Sequence, residues 1–180
     1  MEKFETRIEK PFQLMESKKK FLLDYLRQLQ QGIYLKQPDN SSWSIGQAAN
    51  HLYLSEKLSL AYLKKKLGYP DTVPPYHIKS RWNKMLYKLF FKFVKAKAPK
   101  GINMWEGQEV MLPEELDSKW SALRREMYEF LKEKYPDFKT HLVYNHPFAG
   151  RLTFNQTLYF FCDHIDHHFK QIRRIEQRLK

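Results

Sequence analysis

"LTFNQTLYFFCDHIDHHFKQIRRIEQRLK", residues 152–180, decides the fold. Thr153 and Gln156 stand in capping-box register, where a hydroxyl and an amide satisfy free backbone N–H groups reciprocally, so a helix is expected to begin there. Phe154, Leu158, Phe161, Ile165, His168, Ile172, Ile175 and Leu179 then recur at alternating steps of four and three, a heptad seam running the length of the helix. One member of that apolar seam is a histidine. At about 100° per residue, His168 lies about 30° from the seam's mean direction, His164 about 70°, His167 about 130° and Cys162 about 90°. Two imidazoles therefore face inward, one faces outward, and Cys162 is expected to pack against a neighbour.

Working outward, "WSIGQAANHL" repeats the start signal with Ser44 and Gln47. Ala48, Leu52, Ser55, Ser59 and Tyr62 line one face of the helix it opens, and "GYP" at 68–70 stops it. His51 lies about 60° from the middle of that face. A further helix opens at Pro113, with Glu114 and Glu115 beside its positive end. It carries Leu116, Trp120, Leu123, Met127 and Phe130 as its seam, and "KYP" at 134–136 is expected to close it. The first helix spans roughly 11–32, with Met15, Leu22, Leu26 and Leu29 inward. Four long helices with inward stripes argue for an all-α four-helix bundle, one domain over 1–180. No segment shows the alternation of a strand. Between the second and third helices lies an insertion, about 69–112, far longer than a bundle turn requires; its stretch 79–100 reads as one extra amphipathic helix.

The bulk numbers narrow the class. A length of 180 residues suits one domain, and 42% hydrophobic with 6 Gly and 9 Pro excludes disordered and low-complexity chains. No stretch approaches the ~18 apolar residues of a spanning helix. The charged N-terminus lacks a signal core, and a single cysteine, Cys162, excludes an internal disulfide. A cytoplasmic protein is the expectation.

Burying an imidazole in a Phe/Ile/Leu seam is costly unless its nitrogens find partners. The bland solution is a core histidine hydrogen-bonded to serine, tyrosine or backbone. For His164 and His168 facing His51 from another helix, a shared metal ion is the better partner. Three neutral imidazoles leave coordination positions open, as catalysis requires, and they suit Zn²⁺, Ni²⁺, Fe²⁺ or Mn²⁺ over Mg²⁺ or Ca²⁺. Such an ion lowers the pKa of a bound water or thiol. His167 reads as an outer-face residue four after Asp163, as Lys170 is four after Asp166. His141 and His146 precede the last helix in a loop and are expected at the surface, the alternative for either being a fourth ligand or a substrate contact over the site; His77 is expected in a loop. No Asp or Glu is spaced to sit beside the three histidines, so no catalytic base is assigned.

"WSIGQAANHLYLSEKL" at 43–58 and "NHPFAGRLTFNQTLYFFCDHIDHHFKQI" at 145–172 together resemble the DinB-like superfamily of metal-dependent bundle proteins, the group that includes the YfiT-type proteins. The resemblance implies a four-helix bundle with an up-down-down-up course, the long link crossing between helices two and three. It implies zinc or nickel on His51, His164 and His168. It further implies a homodimer and, as in some relatives, transfer or isomerisation chemistry with low-molecular-weight thiols.

The net charge of +12 requires its own account. Between Asp71 and Glu106 there is no acidic residue, while Lys79, Arg81, Lys84, Lys88, Lys92, Lys95, Lys97 and Lys100 all fall there. Such a segment packs on the bundle by its apolar side, with its lysines solvated, or it holds an anionic partner, nucleic acid or an acidic membrane. Two functions follow. One is a metal-dependent hydrolase or transferase acting on a small, anionic or thiol-containing molecule. The other is a binding module working through residues 79–100.

Overall fold

Both capping boxes form in the computed structural model, which describes residues 4–76, 109–146 and 150–180. Along the chain, α1 (Lys10–Arg27), preceded by a π-helical turn over Glu5–Glu9, is followed by the short α2 (Gln31–Leu35) and by α3 (Ile45–Leu67). Then come α4 (Pro113–Phe138), the paired strands β1 (Tyr144–His146) and β2 (Gly150–Leu152), and α5 (Phe154–Leu179). The described chain is thus mostly helical, as expected of an all-α protein. The helix expected over 79–100 and the loop residue His77 lie outside the described residues.

The seams do most of the packing. On α5 every seam residue from Phe154 to Ile175 is buried, and on α4 so are Leu116, Trp120, Leu123, Met127 and Phe130. Met15, Leu22 and Leu26 do the same for α1. α1 packs on α4 and α5, and α3 packs on α4 and α5. Pairs along these contacts give each direction. Arg7, Lys18 and Tyr25 meet Asn155, Asp166 and Glu176 in the same order. Tyr128, Lys19 and Arg27 meet Glu9, Ser121 and Asp117, so α4 runs opposite to α1.

A buried ion cluster joins α1, α3 and α4. Arg124 donates to Glu56 at 2.7 Å and to Glu16 at 2.9 Å, while the Trp120 indole donates to Glu56 at 2.8 Å. Both Glu56 and Arg124 are about 1% exposed. A buried pair of this kind is tolerable because nearly every lone pair and proton has a partner.

Several sequence expectations are corrected. The first helix does not continue to residue 32: the chain turns after Arg27 and re-forms a short helix that inserts Tyr34 into the core. Tyr34 sits against Gly46, where an added Cβ would come within 2.7 Å of its ring. Its hydroxyl donates to the Met111 carbonyl at 2.9 Å. "KYP" does not close α4, because Tyr135 and Phe138, on either side of Pro136, are both buried and draw the last turn onto the core. One lost hydrogen bond in a final turn is a modest cost against that packing. Tyr62 is exposed, since Leu63 takes the inward position, and it meets Tyr144 edge-on instead. The two strands pair antiparallel, Tyr144 with Leu152 and His146 with Gly150, whose φ of 70° suits only glycine well. Three-residue strands are too short to show alternation in a sequence.

Candidate metal centre

α3 brings His51 inward beside Ala48 and Leu52, and α5 presents His164 and His168 one turn apart on its buried side. The two helices pack together at that level. The Nε2 atoms of His164 and His168 are 2.9 Å apart, and those of His51 and His164 are 3.3 Å apart. One ligand atom from each ring lies within 4.8 Å of the others. Metal–nitrogen bonds of about 2.0–2.1 Å place cis nitrogens about 2.9 Å apart at right angles and about 3.3 Å apart at the tetrahedral angle. The donor set therefore fits a divalent ion with little movement. The sequence placed each imidazole on the correct face, and the tertiary structure brings all three together.

Electrostatics point the same way. Burial, then the His167 imidazole, holds His51 down at about 4; burial, then the surrounding imidazoles, holds His164 well below the usual range; and burial, then His51 and His167, holds His168 at about 3. Among the described residues, the influences on His164 and His168 are burial, imidazoles and the Gln171 contact, with no carboxylate. The rings are neutral at physiological pH, which is the form that ligates. His168 is buried, whereas His51 and His164 keep part of their surface exposed, so a ligand can approach from their side.

Aromatic rings surround the cluster. Trp43, just before the α3 cap, lies 5.1 Å from His51 and 6.3 Å from His168 between ring centroids. Phe160 stacks on His164 at 5.3 Å, and His146 meets Phe160 edge-on at 4.4 Å. His146 is not the surface residue expected: β1 buries it to 6% exposure, and burial lowers its imidazole to about 4. His141 lies apart, bridging to Pro75 and packing on Phe138.

His167 stands outside the cluster with its ring beside that of His168 at 5.2 Å. Asp166 does not serve Lys170; it takes Lys18 of α1 across the helix pair. Cys162 is buried with its thiol toward the Pro11 carbonyl, packed against a neighbour as expected. Sequence reasoning missed two groups at the site, Gln171 beside His168 at 2.8 Å and Ser55 near His164 at 3.5 Å. Spacing held a signal for one: Gln171 is three residues past His168, on the same helix face. It also missed the buried Glu56 and Glu176. Neither adds an available base, because Arg124 and Trp120 hold the first while Tyr25 and Lys180 hold the second.

A mostly helical protein that gathers one imidazole from one long helix and two from another defines a class with a ready-made three-histidine pocket. The chain belongs to the DinB superfamily, whose family model matches residues 17–172. No curated protein matches it.

Proposed function

We propose that the chain is a metal-dependent enzyme, a hydrolase or a thiol-dependent transferase, built on one divalent ion held by His51, His164 and His168. Convergence of the three ε-nitrogens, two of the pairs at 2.9 and 3.3 Å, is the observation that carries this reading. Imidazole donors favour zinc or nickel, then iron or manganese. When bound, such an ion supplies Lewis acidity to an anionic or polarised group on the substrate.

The chain's own residues do the rest. Three neutral rings leave an ion's charge uncompensated, which favours an anionic substrate such as a thiolate or carboxylate. Trp43 and Phe160 flank the rings with apolar surface. We further read residues 1–180 as one four-helix-bundle domain running up-down-down-up, supported by the order of the cross-helix pairs. A homodimer, on the strength of the family resemblance, and cytoplasmic residence, on that of the single cysteine, complete the proposal. No helix among the described residues is long and apolar enough to cross a membrane.

The test is metal analysis of protein purified in zinc- or nickel-supplemented medium. Wild type is expected to carry about one equivalent, and His51→Ala or His168→Ala much less. Equal, negligible content in all three proteins would remove the reading.

A further inference from the structure

Two hydrogen-bond partners behind the imidazoles are unequal, and the inequality assigns different jobs to the two rings of α5. Gln171 Oε1 lies 2.8 Å from His168 Nδ1. A carboxamide oxygen only accepts, so Nδ1 carries the proton and the Nε2 of this neutral ring is bare. Behind His164 the contact is weak. Ser55 Oγ lies 3.5 Å from His164 Nδ1, at the outer edge of hydrogen bonding, and its own proton goes to the Leu52 carbonyl at 2.9 Å.

The front of the site adds a constraint. His164 Nε2 and His168 Nε2 are 2.9 Å apart. Two bare lone pairs at that distance repel, so a cation or a proton must lie between them. With His168 Nε2 bare, the proton of the metal-free protein belongs on His164 Nε2, donated to His168.

We propose that Gln171 is a positioning residue that locks His168 as the Nδ1–H tautomer, while His164 is the ring that changes tautomer when an ion enters. This rests on the metal-centre reading above. The proton leaves His164 Nε2, and a proton returns at Nδ1 of the same ring, where it is donated to Ser55 Oγ. No net proton is released. One ligand is thus set before the ion arrives and one is set by it. The Ser55 oxygen is itself held in place through the α3 backbone, since Ser59 donates to the Ser55 carbonyl at 2.7 Å and stands 2.8 Å from the Tyr144 hydroxyl. The hairpin is thereby tied to the adaptable side of the site.

Two-bond ¹⁵N–¹H spectra of the histidine rings read the tautomers directly. His168 is expected as Nδ1–H both with and without zinc, and His164 as Nε2–H without zinc and Nδ1–H with it. A metal-free His168 carrying its proton on Nε2 overturns the proposal, and so does a His164 that does not change. Removing an outer partner of a ligating histidine weakens metal binding about 10–100-fold. Gln171→Leu is therefore expected to lose zinc affinity in that range, with the melting temperature of the metal-free protein little changed. Gln171→Glu, which keeps the acceptor, should bind at least as tightly as wild type; unaltered affinity in Gln171→Leu overturns the assignment. If wild type takes up no metal, the metal-centre reading fails by itself, and the His168 tautomer in the metal-free spectrum still decides the role of Gln171.

Discussion

Cys162 and His146 show how burial sets reactivity one residue at a time. At 2% exposure the Cys162 thiol is pushed up to about 12, chiefly by desolvation of the thiolate. The native protein should not react with an aromatic disulfide reagent at pH 8, and one equivalent should react in denaturant. Rapid labelling of native protein would mean that the α1–α5 contact opens. His146 titrates near 4 when folded and near 6.5 when unfolded, so the unfolded chain takes up the proton first. Stability present above pH 6.5 is lost as pH falls toward 4, by about 2 kcal/mol between pH 7 and pH 5 from this ring alone. The imidazoles of His51, His164 and His168 act in the same direction. Denaturant titrations of metal-free His146→Asn at both pH values should therefore show a smaller loss than wild type, not none. An equal loss would show that His146 is solvated. Although its angle of about 90° sets Cys162 beside the seam rather than in it, its packing against a neighbour is expected from the sequence. Nothing there could show the burial of His146, because a three-residue strand places it.

Among the elements, helix starts were the most legible features, because a capping box is a local device complete within four residues. Helix ends and breaks were less so. The turn after Arg27 exists to seat Tyr34 against Gly46, and Pro136 stays helical because Tyr135 and Phe138 pack on the core. Both causes are distant in sequence. Gly46 permits a direct test. Alanine there would gain up to about 1 kcal/mol of helix propensity. Its Cβ, however, would lie 2.4 Å from Val110 Cγ1 and 2.7 Å from a Tyr34 ring held by its Met111 hydrogen bond. Overpacking of this kind costs about 1–3 kcal/mol, so a lower melting temperature is expected for Gly46→Ala. A rise would mean that the Tyr34 side chain is free to retreat.

At the scale of the whole molecule, the Glu56–Arg124–Glu16 cluster fixes α3 and α4 in register and reaches α1. Removing one partner strands a buried charge, so Arg124→Leu should destabilise by about 3–5 kcal/mol in chemical denaturation. Glu56→Met together with Arg124→Leu should restore much of that loss, because two apolar side chains need no solvation. A double variant as unstable as the single one would show that packing volume, not charge, is at issue. This cluster was invisible in the sequence: Arg124 follows a seam leucine as any surface arginine might, and its partners lie far off in the chain. The register that sets His51 opposite His164 is decided at the same scale, by how α3 slides along α5.

The sequence alone determined which faces of four helices are apolar, where two of them start, and that His51, His164 and His168 point inward, because helical periodicity and capping are short-range. Only the tertiary structure decided that their ε-nitrogens meet, that Gln171 and Ser55 stand behind two of them, and that a hairpin buries His146. Those facts depend on how separate helices slide and pack against one another, a degree of freedom that no local pattern of residues encodes.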